Sequence, residues 1–350
     1  AIAMLSPSGL AMSLNEFPPS RRAYALGVWG TIGALTGLCG SPIAAGMIEL
    51  FNWQAIFILT GGFSLLILIA GLIVLSDEQE GNNQLPIDWI SAIIAVMAVG
   101  GLTLFLVQGQ EWGFSSPVTL LCLCISIIST PLLARRNRTQ RHPLFPPAIF
   151  SQRSFTIGAA GSALCQVGFF SIYFGLPLYM REMWSWSPLK IGFALIPLNV
   201  VPLLTAAVAG KIVDRQGPRP MIIFGGVWSG VSFLIIGFFL MEAGYILFAL
   251  GLLVSGLGAM AIGNNTTIAT LLDIEDGLLA SASSASYTAR RLGSALGAVL
   301  TASIVGNRLG SDFKDVYIWV WILGAGAYLL GSLITYLYYP RRNEQELSNV

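Results

Sequence analysis

Long apolar stretches recur along the whole chain and are separated by short polar segments. Each is about 20 residues long, which is the length that a helix needs to cross a hydrocarbon core of about 30 Å. Charged residues make up only 10% of the chain, against about a quarter in a soluble domain. The stretches are continuous, whereas a membrane β-strand alternates. The pattern therefore predicts an all-α integral membrane protein.

We predict eleven membrane segments, of which the first is only the end of a span. They cover 1–14, 24–47, 54–75, 89–108, 117–134, 155–180, 187–209, 220–240, 243–271, 278–306 and 315–338. The chain begins at Ala1 without Met and without the charged region of a signal peptide. We therefore expect that an N-terminal portion of the protein is missing.

Lysine and arginine are distributed unevenly over the two sets of loops between these segments. Four of the 18 lie on one set, and two, Arg290 and Arg291, fall inside a predicted helix. The other twelve define what we call the basic face: Arg21, Arg22, Arg135, Arg136, Arg138, Arg141, Arg153, Lys211, Arg215, Arg219, Arg341 and Arg342. The positive-inside rule predicts that the basic face, and with it the C-terminus, is cytoplasmic.

The longest polar break is the basic loop 135–153, which we predict to be the main boundary in the chain. Before it we expect a remnant of an N-terminal helical bundle in 1–75, then an acidic loop plus two central helices in 76–134. After it we expect a C-terminal six-helix bundle in 154–338 and a cytoplasmic tail in 339–350.

Composition and spacing argue against several other functions. No basic cluster is interleaved with aromatic residues, so we expect no nucleic-acid partner. The spacing Cys122-x-Cys124 is wrong for the usual zinc or redox pairs, and all four cysteines lie in apolar stretches. A membrane enzyme would need a cluster of His, Asp or Ser, but the sole histidine, His142, lies in the basic loop. We predict no cofactor, no metal ion and no enzymatic activity, with membrane lipid as the surroundings.

A charged segment, Gly210-Lys-Ile-Val-Asp-Arg-Gln-Gly-Pro-Arg-Pro220, lies between two of the apolar segments. Its charges cannot lie in hydrocarbon, and its glycines suit a tight turn. Its pattern resembles the signature loop of the major facilitator superfamily, carried here by Gly210, Asp214, Arg215, Gly217 and Arg219. The resemblance implies a gating loop, in which Asp214 pairs with an arginine of a neighbouring helix as a conformational latch. A solvated loop that obeys the positive-inside rule is the alternative.

Other segments resemble one branch of that superfamily, the fourteen-helix drug:proton antiporters. Residues 17–30 are similar to the start of the fifth helix of that family. Leu176-Pro-Leu-Tyr179, followed by Ser187, Pro188, Gly192 and Pro197, is similar to its seventh and eighth helices. Arg290-Arg-Leu-Gly-Ser-Ala-Leu-Gly297 matches its pattern Arg-x-Leu-Gly-x-Ala-Leu-Gly. On this alignment 89–108 and 117–134 are the extra central pair, and roughly the first three helices are absent.

A stripe of small residues follows one face of the segment 24–47. Gly30, Gly33, Gly37 and Gly40 are three, four and three residues apart, which lets helix backbones approach closely in lipid. Pro42 removes a helix hydrogen bond and favours a kink. The set Gly33, Gly37, Gly40, Pro42 and Gly46 resembles the motif of exporters that work by antiport, although Ser41 and Ala45 stand where that family has glycine. Plain helix packing is the alternative interpretation of the spacing.

All 17 acidic residues can be placed in loops or at the ends of segments. An antiporter needs a titratable group inside the membrane. The resemblance places that carboxylate on the first helix, in the portion that we expect to be missing. Inside the segments, polar residues that could line a cavity are Gln166, Tyr173, Asn199, Asn264, Asn265, Tyr287 and Arg290.

For each cavity candidate a hydrogen bond between helices is an alternative role. An arginine inside a span should face a cavity or a partner. Arg290 has a second interpretation, in which its helix begins later and the side chain extends to the membrane surface.

These features predict a major facilitator fold with about eleven helices of a fourteen-helix protein. The function they indicate is secondary active transport in the inner membrane, with small lipophilic or drug-like compounds moved outward in exchange for protons by alternating access. Whether a periplasmic adaptor takes part stays open. The alternatives are a facilitator or symporter of a specific metabolite, and a truncated chain that is inactive on its own.

Overall fold

Helices account for almost all of the described structure, which is a computed structural model covering residues 22–74, 88–140, 143–263, 265–275, 278–306 and 313–340. The helices are α1 Arg22–Leu50, α2 Gln54–Val74, α3 Trp89–Trp112, α4 Pro117–Thr139, α5 Pro147–Ser151, α6 Arg153–Trp184, α7 Pro188–Ala194, α8 Ile196–Gln216, α9 Pro218–Ile235, α10 Tyr245–Ile262, α11 Asn265–Leu271, α12 Leu279–Gly306 and α13 Phe313–Tyr338. A π-helical turn, Ile236–Leu240, continues α9.

The predicted fold class is confirmed. Ten of the eleven predicted segments coincide with helices of the described residues, and the eleventh, 1–14, lies outside them. Within the described ranges, eight helices are long and apolar enough to cross a membrane. α12 is not among these eight, although its 28 residues are sufficient in length. Its first half is rich in serine, threonine and arginine, and in a membrane such a surface must face protein or water.

Two predicted segments are each built of two helices. Segment 187–209 comprises α7 and α8, which are separated at Leu195. Pro197, which has no amide hydrogen, lies in the first turn of α8, where none is needed. Segment 243–271 comprises α10 and α11, and the Gly263 amide makes the last hydrogen bond of α10, to the Ala259 carbonyl oxygen at 3.0 Å.

The charged segment 210–220 is helical over most of its length, whereas we predicted a turn between two apolar segments. α8 continues through it to Gln216, and α9 begins at Pro218, so only Gly217 lies between the two helices. Gly217 has φ 74° and ψ 171°, a conformation open to glycine, while Pro218 suits the first position of a helix. The prediction took the end of the apolar run as the end of the helix, but a helix can continue beyond the bilayer surface.

α6 is the centre of the packing and contacts α11, α12 and α13. Glycines allow these contacts at backbone distance: a methyl group added to Gly168 of α6 would lie 2.8 Å from the Gly324 carbonyl oxygen of α13. At the face opposite the basic face, the Tyr179 hydroxyl donates to the Met241 carbonyl oxygen at 2.8 Å. This tyrosine is buried within a cluster of aromatic rings from α6, α10 and α13.

α3 and α4 form a hairpin whose ends are joined by an ion pair. Arg136 Nη2 lies 2.9 Å from Asp88 Oδ1. Asp88 is also the N-cap of α3, and its carboxylate accepts a hydrogen bond from the Ser91 amide. Hydrogen bonds from Arg136, and then from Ser91, hold the pKa of the Asp88 carboxyl well below its usual range. The pair places the end of the loop 76–88, which has no lysine or arginine, beside the basic end of α4.

Candidate functional site

α1 packs closely against α7 through the segment that contains Ser41, Pro42 and Ala45. A methyl group added to Gly192 of α7 would lie 2.6 Å from Ala45 Cβ and 2.9 Å from the Ser41 carbonyl oxygen. A side chain at position 192 therefore has no room while α1 and α7 keep this distance. The glycine that allows the close approach belongs to α7.

The glycines of the predicted stripe on α1 have different surroundings. A methyl group on Gly37 would lie 3.2 Å from Asn199 Oδ1 of α8, and one on Gly46 would lie 3.7 Å from Leu189 Cδ1. At Gly33 and Gly40 it would have no atom within 4 Å, apart from those of its own helix. Only part of the stripe therefore contacts α7 and α8, and the surroundings of Gly30 lie outside the described part of the structure.

Polar side chains connect α1 to α6 in the same region. Ser41 Oγ lies 3.0 Å from the Tyr173 hydroxyl oxygen. The Tyr173 ring stacks on Phe169, with ring centroids 5.4 Å apart. Gln166 is seven residues before Tyr173, so both lie on one face of α6. This face is half-buried, while the opposite face of α6 is buried against α12 and α13.

The end of α1 and the start of α7 are joined by a hydrogen bond that the sequence did not predict. The Leu189 amide donates to Glu49 Oε2 at 2.9 Å. The first amides of a helix have no partner within the helix, and a carboxylate there is favourable. The sequence indicates no partner for Glu49, because the partner is a backbone group 140 residues away.

Arg290 lies well inside α12. The helix begins at Leu279, eleven residues earlier, which corresponds to a depth of about 16 Å along its axis. The helix therefore does not begin after Arg290. Its Nη1 donates to Thr267 Oγ1 of α11 at 2.5 Å, and its guanidinium carbon lies 5.7 Å from the centroid of the Tyr287 ring. Thr267 was missed because a threonine within an apolar segment carries no signal of its own.

The two glycines of the segment Arg290–Gly297 have a packing role. A methyl group on Gly293 would collide with the carbonyl oxygen of Ala163, and one on Gly297 would collide with that of Val167. The backbones of α12 and α6 therefore touch at two successive turns. Among the predicted cavity residues, Asn265 is buried and donates to the Ala261 carbonyl oxygen at 2.9 Å, whereas Asn264 lies outside the described residues.

Arg219 is the residue of the charged segment whose side-chain contacts are described. Its Nη2 donates to the Tyr336 carbonyl oxygen at 2.7 Å, in the last turn of α13, and its guanidinium carbon lies 5.7 Å from the Tyr336 ring centroid. Carbonyl groups in the last turn of a helix lack helical partners. The side chains of Asp214 and Arg215, and the surroundings of Gly210, lie outside the described part.

Comparisons with known proteins agree with this architecture. A family model described as Major Facilitator Superfamily matches residues 1–175 and 158–349. The chain is 25% identical over 315 residues to the tetracenomycin C resistance and export protein of Streptomyces glaucescens, covering 89% of this chain and 58% of that protein. It is 24% identical over 309 residues to the multidrug export protein EmrB of Escherichia coli (strain K12), covering 87% of this chain and 60% of that protein.

A second EmrB, from Haemophilus influenzae, is 27% identical over 317 residues, covering 86% of this chain and 60% of that protein. The chain thus spans about 60% of the length of these curated relatives. Among solved structures, the nucleoside transporter NupG is similar with a TM-score of 0.47 and 15% identity, covering 97% of this chain and 88% of that chain.

The predicted resemblance to drug exporters is confirmed, since these three relatives are export proteins for a drug or for several drugs. The family model matches the chain over nearly its whole length in two overlapping parts. The chain belongs to the major facilitator superfamily.

Proposed function

We propose that this chain, in its full-length protein, is a secondary active exporter that moves small lipophilic or drug-like compounds out of the cell in exchange for protons. The names of the relatives support the direction of transport and the kind of compound. In the proposal the protein lies in the inner membrane with its basic face and its C-terminus in the cytoplasm, because twelve of its 18 lysine and arginine residues belong to that face.

The contact of α1 with α7 and α8 is the observation that carries the proposal. Alternating access needs helices from two halves of a transporter that touch beside a cavity and rock against each other. α1 belongs to the part before the basic loop, and α7 and α8 to the part after it. At its closest point this contact is formed by small residues, Gly192 against Ser41 and Ala45. Such a contact permits rocking at little steric cost.

The charged segment has a supporting role in the proposal. Arg219 holds the last turn of α13 through the Tyr336 carbonyl oxygen, and the turn at Gly217 joins α8 to α9 without a flexible loop. Motion of α8 on the basic face is therefore transmitted to α9 and α13. The segment Gly210–Arg219 acts as the latch of one alternating-access state.

Everted membrane vesicles from cells that express the intact gene test the proposal. The vesicle lumen is acidified by respiration and monitored with a pH-sensitive dye, and cationic, neutral and acidic lipophilic compounds are added in turn. We expect at least one compound to release protons from the lumen in the wild type. Gly192→Leu, which forces α7 away from α1, should abolish this release.

The control is Gly100→Ala in α3, because an added methyl group there has open space and Gly100 belongs to none of the predicted site motifs. This variant should release protons as the wild type does. The proposal fails if no compound of the panel releases protons from vesicles that contain folded protein. Uptake of a specific metabolite without proton movement would instead identify a facilitator.

A further inference from the structure

Arg290 is a cation inside a membrane bundle whose partners in the described structure are neutral. One nitrogen donates to the Thr267 hydroxyl oxygen, and the face of the Tyr287 ring lies beside the guanidinium group. Among the described residues, no carboxylate lies within ion-pairing distance of it. The charge is therefore stabilised by one hydroxyl and one ring, which is less than a desolvated guanidinium group requires.

The guanidinium group keeps most of its hydrogen-bonding capacity free. It has five N–H donors in a planar fork, and Thr267 accepts from one nitrogen. Arg290 is half-buried, and its other side-chain nitrogens are not fully enclosed. Arg219 Nε, by contrast, is fully enclosed and has no hydrogen-bond partner. The other nitrogens of Arg290 therefore keep some accessible surface. The fork matches the two oxygens of a carboxylate.

The neighbouring arginine shows that the position of Arg290 is specific. Arg291 is exposed, and adjacent positions on a helix point about 100° apart. Arg290 instead lies on the side of α12 that reaches α11. One turn further, Gly293 brings α12 to backbone contact with α6 at Ala163. The position of the helix, and so of Arg290, is thereby determined by close packing.

We infer that Arg290, Thr267 and Tyr287 form an anchor for the acidic end of the transported compound. The substrate class is then lipophilic acids, in which an aromatic or aliphatic body carries a carboxylate or an acidic hydroxyl group. The carboxylate accepts from the free guanidinium nitrogens, and Thr267 holds the fork in place. The Tyr287 ring offers a surface for the apolar body. This inference rests on the proposed function, because it names the substrate of the proposed exporter.

Binding of matched probes to the purified full-length protein tests the anchor. The probes are 2-naphthoate and the neutral 2-naphthamide, which share one aromatic body, and affinity is measured by isothermal titration calorimetry. A charged hydrogen bond contributes about 1.5–3 kcal/mol, which corresponds to about 10- to 150-fold in affinity. We expect the wild type to bind 2-naphthoate tighter by about this factor. Arg290→Gln should bind both probes equally.

Two further variants separate the anchor from a general effect of charge or folding. Arg291→Gln removes the same charge one residue away and should keep the wild-type preference. Arg290→Lys keeps the charge without the planar fork and should keep part of the preference for 2-naphthoate. If Arg290→Gln does not fold, the lysine variant and the wild type still decide the question.

Two outcomes overturn the inference. One is a wild type that binds both probes equally, which would assign Arg290 to an internal ion pair with a carboxylate outside the described residues. The other is an Arg290→Gln variant that keeps the preference. The vesicle assay is independent of both: 2-naphthoate binding without proton release would contradict the proposed exchange for protons and leave the anchor intact. Proton release by cationic compounds, together with equal binding of 2-naphthoate and 2-naphthamide, would support the proposed exchange for protons and overturn the anchor.

Discussion

The hydroxyl oxygens of Ser41 and Tyr173 lie 3.0 Å apart and join α1 to α6 across 132 residues of sequence. The serine supplies a hydrogen-bonding group that a glycine at this position would lack. The pair lies beside the close contact of Gly192 with the Ser41 carbonyl oxygen. One residue of α1 therefore contacts α6 through its side chain and α7 through its backbone.

Removal of either hydroxyl should have a small and non-additive effect on stability. Hydrogen bonds between membrane helices contribute about 0.6 kcal/mol on average. Ser41→Ala and Tyr173→Phe should each lower the free energy of unfolding by about that amount, and the double variant by no more than one of them. Denaturation in detergent measures all four proteins. Additive effects would show that the two hydroxyls do not bond to each other.

Gly192→Ala should destabilise the protein, because its methyl group would lie 2.6 Å from Ala45 Cβ and 2.9 Å from a backbone oxygen. Overpacking of this kind costs about 1–3 kcal/mol. Thermal unfolding measures the loss. Ala45→Gly in the same chain should restore part of it by removing the nearest atom. Gly40→Ala is the control and should change stability by less than about 0.5 kcal/mol. Equal effects at 192 and 40 would contradict the close contact.

Gly217→Ala should destabilise the protein although there is space for the methyl group. No atom lies within 4 Å of it, but φ 74° and ψ 171° form a conformation that other residues rarely adopt. The expected loss is about 1–3 kcal/mol. Gly100→Ala, also in open space but inside α3, should be neutral or slightly stabilising. A neutral Gly217→Ala variant would contradict the conformation of the turn.

The Asp88–Arg136 pair should contribute to stability over the whole physiological pH range. The pKa of the Asp88 carboxyl is lowered by its hydrogen bonds to Arg136 and Ser91, so its contribution is present above the unfolded pKa of about 3.9. It is lost only as the pH falls through the lower folded pKa. The difference in Tm between the wild type and Asp88→Asn should be constant between about pH 5 and pH 8. It should shrink only in strongly acidic solution, and a decline already near pH 6 would contradict the pair.

The helices were predictable from sequence because apolar length and polar interruptions are local properties. The segments 54–75, 278–306 and 315–338 agree with α2, α12 and α13 to within two residues at each end. α4 and α8 differ because their helices continue past the apolar run into arginine-bearing turns. A hydropathy pattern records where hydrocarbon ends, whereas a helix ends where its backbone hydrogen bonds end.

The contacts of the candidate site were less predictable, because each joins distant parts of the chain. Arg290 and Gly192 could be singled out, the first as a charge inside a segment and the second as part of a family pattern. Their partners could not: Thr267 is one of many hydroxyl residues, and the partner of Glu49 is the backbone amide of Leu189. Such pairs depend on how the helices cross, which no local pattern records.

The hydrogen bond between Glu49 and Leu189 also sets an order of events during synthesis. The two residues are 140 positions apart, and ribosomes add about 5–20 residues per second. α1 therefore enters the membrane roughly 7–28 s before the helix that it will contact has been made. During that interval the face of α1 that will contact Gly192 lacks this partner, and the Ser41 hydroxyl lacks Tyr173 until 132 further residues have been made. The packing of α1 against α7 is thus a late step of biogenesis, and a chain that ended before residue 189 would contain an inserted α1 with no α7 to bind.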